Sequence, residues 1–167
     1  MTYRHFTGIG AVTAGTAITG AAIVALILIL SASPARPAAT DAEATTAKEC
    51  GACHMAYLPQ FLPARSWQAL MKGLDNHFGE NANLDAATRK TILDYLVSHA
   101  ADAPGQDTRF LMGLPDAATP LRISDTPYWI RRHSEIPDSI FSHPKVKSKG
   151  NCTACHQNAA QGGFEDE

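Results

Sequence analysis

Four cysteines carry the chemistry that this chain advertises. They stand as "CGACH" (Cys50, Cys53, His54) and "CTACH" (Cys152, Cys155, His156), and no cysteine is left over. In each motif two thiols lie about one helical turn apart and an imidazole follows at once. This is the c-type haem attachment pattern: the thiols reach the two vinyl groups of one macrocycle, and the adjacent histidine is aimed at the iron as its proximal ligand. Two covalently attached haem c groups are the expectation. A zinc site built from both CxxC pairs and a disulfide framework are the competing readings, but neither calls for a histidine at that position.

Each iron then needs a second axial ligand or an open face, the choice that separates electron carriers from gas binders and oxidising enzymes. Setting aside His5 and the two proximal histidines leaves His77, His99, His133 and His143, with Met71 and Met112 as thioether rivals. In "SWQALMKGLDNHF", Ser66 reads as a helix N-cap, and Trp67, Leu70, Leu74 and His77 recur at intervals that share one helical face. His77 is the expected distal ligand of the first haem, with Met112 as its main rival and Met71 as core filler. His99 falls in the last turn of a further helix, capped by Asp85 with Ile92, Leu93, Leu96 and Val97 inward. There a histidine ordinarily bonds free carbonyls.

The second motif lies so near the end that only eleven residues follow His156, and they include neither His nor Met. Its distal ligand must come from upstream. "PYWIRRHSEIP" predicts a short helix with Pro127 in its first turn and Pro137 barring continuation, so that Trp129, Ile130 and His133 share a face. His133 is the expected ligand; His143, in "FSHPKVKSKG", reads as a loop residue. The second haem unit is therefore reversed, with its attachment motif last.

The elements that must hold these groups are helical throughout. An all-α fold is expected, with a first haem domain at 48–119 and a small second haem domain at 120–167. The stretch from 102 to 127, rich in Pro and Gly, passes between them as irregular chain. Ahead of them, residues 1–35 read as a signal peptide or membrane anchor, and 36–47 as a linker running into a helix near Asp41. Residues 8–32 carry no charge and culminate in "AAIVALILIL", long enough as a transmembrane helix to stay in a membrane. The polar end "SASPA" equally suits cleavage. Both readings send the remainder out of the cytoplasm, to the periplasm, soluble or tethered.

The combination of "CGACH", "LPARSWQALMKGLDNHFGENANLD", "PLRI", "YWIRRHSEIP" and "NCTACH...GGFEDE" resembles the dihaem cytochrome c family of periplasmic electron carriers in proteobacteria. The resemblance covers nearly everything after residue 48. It implies a class I cytochrome c-like N-terminal haem domain, a small irregular C-terminal haem domain and bis-histidine irons, with distal positions falling on His77 and His133. It also implies electron delivery to a small monohaem c-type cytochrome and, in some members, exchange with a membrane b-type cytochrome.

Charge adds to this. Residues 41–116 carry ten acidic and six basic side chains, whereas 122–149 carry six basic and three acidic. The second haem thus has a basic approach, which reads either as an ordinary solvated face or as a patch of the kind that steers weak electron-transfer complexes. A formal net charge of −2 gives no reason to expect a nucleic-acid partner, and no phosphate loop, catalytic triad or acid pair is present. The expected role is an electron carrier rather than an enzyme. The alternative is a haem enzyme or gas sensor with one labile distal ligand.

Overall fold

Thr40 starts the first helix, its Oγ1 accepting from the Glu43 N–H at 3.2 Å. Asp41 and Glu43 in the first turn and Lys48 in the last complement the helix dipole. The computed structural model describes residues 40–164, all within one compact unit, Ala39–Glu167. The signal peptide or anchor expected over 1–35 lies outside the described residues. Helix α1 (Asp41–Cys50) ends at Gly51, where a Cβ would come within 2.2 Å of the Ala47 carbonyl oxygen. Only glycine lets the chain leave the helix so tightly into the first motif.

Helix α2 (Ala64–Lys72) departs from expectation at both ends. It begins two residues ahead of Ser66, with Pro63 at the N-cap and no capping side chain of its own. Asp102 supplies the missing acceptor from 38 residues away, taking the Ala64 N–H at 2.7 Å. Ser66 is buried inside the first turn, its hydroxyl without a partner among the described residues. At the other end Gly73 stops the helix, a 3-10 turn Leu74–Asn76 follows, and His77 caps that turn. His77 is therefore not on the α2 face that its spacing suggested.

Helix α3 (Ala86–Ser98) is capped by Asp85, whose carboxylate accepts from the Ala87 and Thr88 N–H groups, both at 3.0 Å. It packs against α1 and α2. Ile92 and Leu96 meet Leu62, Trp67, Met71, Leu74 and Ala100 in one buried cluster. Each large apolar side chain so buried contributes about 1.5–3 kcal/mol. Leu93 and Val97 pack half-buried at its margin.

Irregular chain follows, as the Pro and Gly content predicts, and Arg65 ties it to α2 by donating to the Ala118 carbonyl at 2.6 Å and the Pro115 carbonyl at 3.4 Å. Thr126 then caps helix α4 (Pro127–Arg132), with Pro127 at its start as expected. It stops at His133, before Pro137 has any steric say. Pro137 instead begins helix α5 (Asp138–Phe141), an element that sequence periodicity did not reveal. Two 3-10 turns, Cys152–Ala154 and Ala159–Gln161, complete the described chain. The described residues are helical or irregular, apart from one isolated bridge between His77 and Glu80. No helix among them is long and apolar enough to cross a membrane.

Ile92 is fully buried at the centre of the cluster. Ile92→Ala should lower the unfolding free energy by about 2–5 kcal/mol, read from urea titration by far-ultraviolet circular dichroism. Thr91→Ala, on the exposed side of the same turn, should stay within about 0.5 kcal/mol of the parent.

Candidate functional site

At the end of the first motif, His54 Nδ1 donates to the Met55 carbonyl at 2.7 Å, leaving Nε2 as the atom with a free lone pair. Its ring stacks on Tyr57, with centroids 4.8 Å apart and planes at 21°. His77 stands 6.2 Å from the His54 ring, centroid to centroid, with the planes at 26°. Two imidazoles bonded to opposite sides of one metal, at about 2 Å per bond, hold their centroids about 6 Å apart. Burial first, then the His54 ring and Arg122, hold His77 below the ordinary histidine range. This favours the neutral imidazole, the form that ligates metal.

His77 reaches this place through a tight turn. Its N–H donates to the Glu80 carbonyl at 2.7 Å and its carbonyl accepts from the Glu80 N–H at 3.2 Å. The turn requires positive φ at Phe78 (57°) and Gly79 (103°), and Phe78 pays steric strain there that glycine would not. Two contacts hold Phe78: its ring meets His77 edge-on at 4.9 Å, and the Arg122 guanidinium lies 3.9 Å above it. Neither Phe78 nor Arg122 was singled out as a support for His77 from sequence. Their signal, an aromatic beside a histidine and a distant arginine, is too common to read without coordinates.

The second site repeats the spacing by other means. His133 Nδ1 donates to the Trp129 carbonyl at 2.9 Å, and its ring stacks on Trp129 at 4.1 Å and 12°. His156 lies 6.2 Å from it, with the planes at 86°. A cleft of about 540 Å³ opens beside His133, its wall shared between apolar Trp129, Ile130, Ile136 and Phe141 and polar groups that include Asp125, Asp138 and Lys149, a size suited to an organic cofactor. In both sites 23 positions separate the paired histidines, proximal first in one and last in the other. That equality is visible in the sequence once the pairs are known.

The rivals are placed elsewhere. Met71 is in the core, and Met112 is 58% exposed, its carbonyl accepting from both terminal nitrogens of Arg131 at 3.1 Å. His99 Nδ1 bonds the Tyr95 carbonyl at 2.9 Å and its ring packs on Tyr95. His143 is exposed in a turn and accepts from the Lys145 N–H at 3.2 Å. The four thiols are free. In each motif the first cysteine is half-buried and the second exposed, and burial pushes the Cys50 and Cys152 thiols up. Among the described residues no three His, Cys, Asp or Glu side chains gather as a zinc site would require. The residues present fit two haem groups, each attached by two thioethers and facing two imidazoles.

The basic stretch is partly committed to structure. Arg131 holds Met112, Arg122 covers Phe78, and Lys149 pairs with Asp138 at 2.8 Å. Lys145 and Lys147 are exposed.

The family model described as dihaem cytochrome c matches residues 46–164. A solved diheme cytochrome c from Rhodobacter sphaeroides is 48% identical, covering 76% of this chain and all of its own, with a TM-score of 0.68. A second structure of the protein purified from that organism is 46% identical over 75% of this chain and 98% of its own, with a TM-score of 0.62. A diheme cytochrome type c from Shewanella baltica OS155 is 38% identical over 75% of this chain and 89% of its own, also at 0.62. No curated protein matches the chain. Two attachment motifs, two facing imidazole pairs and this likeness along the described chain converge: the protein belongs to the dihaem cytochrome c family, and with it come two covalently attached haem c groups and electron transfer.

Proposed function

We propose that the protein is a periplasmic bis-histidine electron carrier, with His54 and His77 holding one iron and His133 and His156 the other. Cys50 and Cys53 attach the first macrocycle, and Cys152 and Cys155 the second. The observation that carries this reading is the repeated 6.2 Å imidazole spacing, produced by two unrelated local structures. The bound haems supply one-electron chemistry. The chain's own residues fill both axial positions, orient the imidazoles through Met55 and Trp129 carbonyls, and exclude exogenous ligands.

The first haem belongs to a class I cytochrome c-like domain over 48–119 and the second to a reversed unit over 120–167. Residues 1–35 export the chain, as a cleaved signal peptide or as a tether to the inner membrane. Electrons arrive from a membrane donor such as a b-type cytochrome and leave to a small monohaem c-type cytochrome. Lys145 and Lys147 supply the exposed part of a basic approach whose effect on the rate weakens with salt.

The histidine assignment is tested by substitution. His133→Ala should keep two haems by mass, yet one should become high-spin or water-ligated and bind carbon monoxide, while the parent binds none rapidly. His143→Ala should behave as the parent. The reverse pattern would move the ligand to the lysine-rich loop, and rapid carbon monoxide binding by the parent would favour an enzyme or gas sensor.

Spectra of the parent should report both irons as bis-histidine. Potentials should be low and the near-infrared band of methionine-ligated ferric haem absent, because methionine ligation raises the potential. The ring planes differ, at 26° in the first site and 86° in the second. Near-parallel imidazoles separate the iron dπ levels, while perpendicular ones bring them together. Electron paramagnetic resonance of the ferric protein should therefore show one rhombic low-spin signal and one of much larger anisotropy. Two identical rhombic signals would contradict the ring geometry.

A further inference from the structure

The two sites meet in one side chain. Tyr57 follows the first motif by three residues, and its ring stacks on His54 at 4.8 Å. Its hydroxyl reaches 93 residues along the sequence to donate to the Gly150 carbonyl at 2.8 Å. That same carbonyl accepts from the Cys152 N–H at 3.0 Å, and the Cys152 thiol lies 3.6 Å from it. Gly150 has room for nothing larger: a Cβ there would stand 2.8 Å from the Tyr57 hydroxyl oxygen. One phenol therefore spans the gap from the histidine of the first motif to the leading cysteine of the second.

We propose that Tyr57 is the positioning residue that fixes the two haem sites relative to one another and sets the electronic coupling between them. The proposal rests on the assignment of His54 and Cys152 to haem sites; it does not depend on which residues are distal. The ring end limits rotation of the His54 imidazole. The hydroxyl end holds the backbone from which the second macrocycle is attached. Exchange between the sites moves one electron: one iron is oxidised, the other reduced, and no bond forms or breaks.

A second contact runs between the same two regions. Phe61 packs edge-on against Phe164 at 5.1 Å, and Phe164 lies 5.4 Å from His156. Both rings are apolar, and no hydrogen bond joins them. The Tyr57 hydrogen bond is directional and ends on the attachment segment itself, so it is the contact that fixes distance and register.

The experiment uses the holoprotein and three variants: Tyr57→Phe, Gly150→Ala and both together. Intramolecular electron exchange is followed after one-electron reduction by pulse radiolysis, alongside haem content and low-spin spectra. Tyr57→Phe keeps the stack on His54 and loses only the hydroxyl. It should retain two low-spin haems while exchange slows severalfold. Gly150→Ala should slow exchange as well, because its methyl displaces the phenol. The double variant should be no slower than Tyr57→Phe, since the atom that the methyl meets is gone. Exchange at the parental rate in Tyr57→Phe would overturn the proposal, as would additive losses in the double variant. Should Gly150→Ala fail to fold, the Tyr57→Phe rate decides alone. Fewer than two covalent haems in the parent would instead strike at the site assignment.

Discussion

Two imidazoles held 6.2 Å apart, centroid to centroid, set the terms for the rest of the structure. Under the proposed ligation it is the distance that two metal–nitrogen bonds require, with little tolerance for error, yet side chains 23 residues apart must achieve it. A proximal histidine is placed by its own motif, because the thioethers anchor the macrocycle to the adjacent turn. The distal histidine has no such anchor. It must be aimed by local backbone geometry, and the two sites solve this differently.

His133 relies on a helix terminus. The Trp129 carbonyl accepts both the His133 backbone N–H at 3.0 Å and its Nδ1 proton at 2.9 Å, while the Trp129 ring backs the imidazole. His77 relies on a turn that begins after Gly73 and includes a non-glycine residue at positive φ. Such a conformation costs on the order of 1 kcal/mol and persists only where its surroundings over-determine it. Arg122 over Phe78 and the paired hydrogen bonds of His77 with Glu80 provide that determination. The "PLRI" stretch thereby acts on the first site, although it lies next in sequence to the helix of the second.

This explains what could be read in advance. The attachment motifs were legible because covalent chemistry fixes their spacing. Asp85, Pro127 and the Ile92 and Leu96 positions were legible because capping and helical period are local rules. The start of α2 was not: its capping acceptor is Asp102, from a different part of the chain, so Ser66 looked like the better cap. The choice among histidines was legible only in part. His99 and His133 have the same local arrangement, each at a helix C-cap, bonding the carbonyl four residues back and packing on the aromatic ring there. The difference is that His133 has a second imidazole opposite, which is a tertiary fact.

The C-terminal part of the chain depends on contacts outside itself. Beyond residue 119, only Thr126 and Ala159 are buried among the described residues. Its helices α4 and α5 span six and four residues, far below the ~12 at which an isolated helix becomes even marginal. Such a segment cannot fold on a core of its own. Contacts with the preceding chain hold it, through Tyr57 on Gly150, Phe61 on Phe164 and Arg131 on Met112. Under the proposed ligation, the attached macrocycle adds a closure between His133 and the motif that ends at His156. A cross-link over a loop of that length disfavours the unfolded chain by about 3 kcal/mol on the chain-entropy account. That closure encloses α5 and the chain from His133 to His156, while α4 and the residues ahead of it, outside the closure, are held by their contacts with the preceding chain.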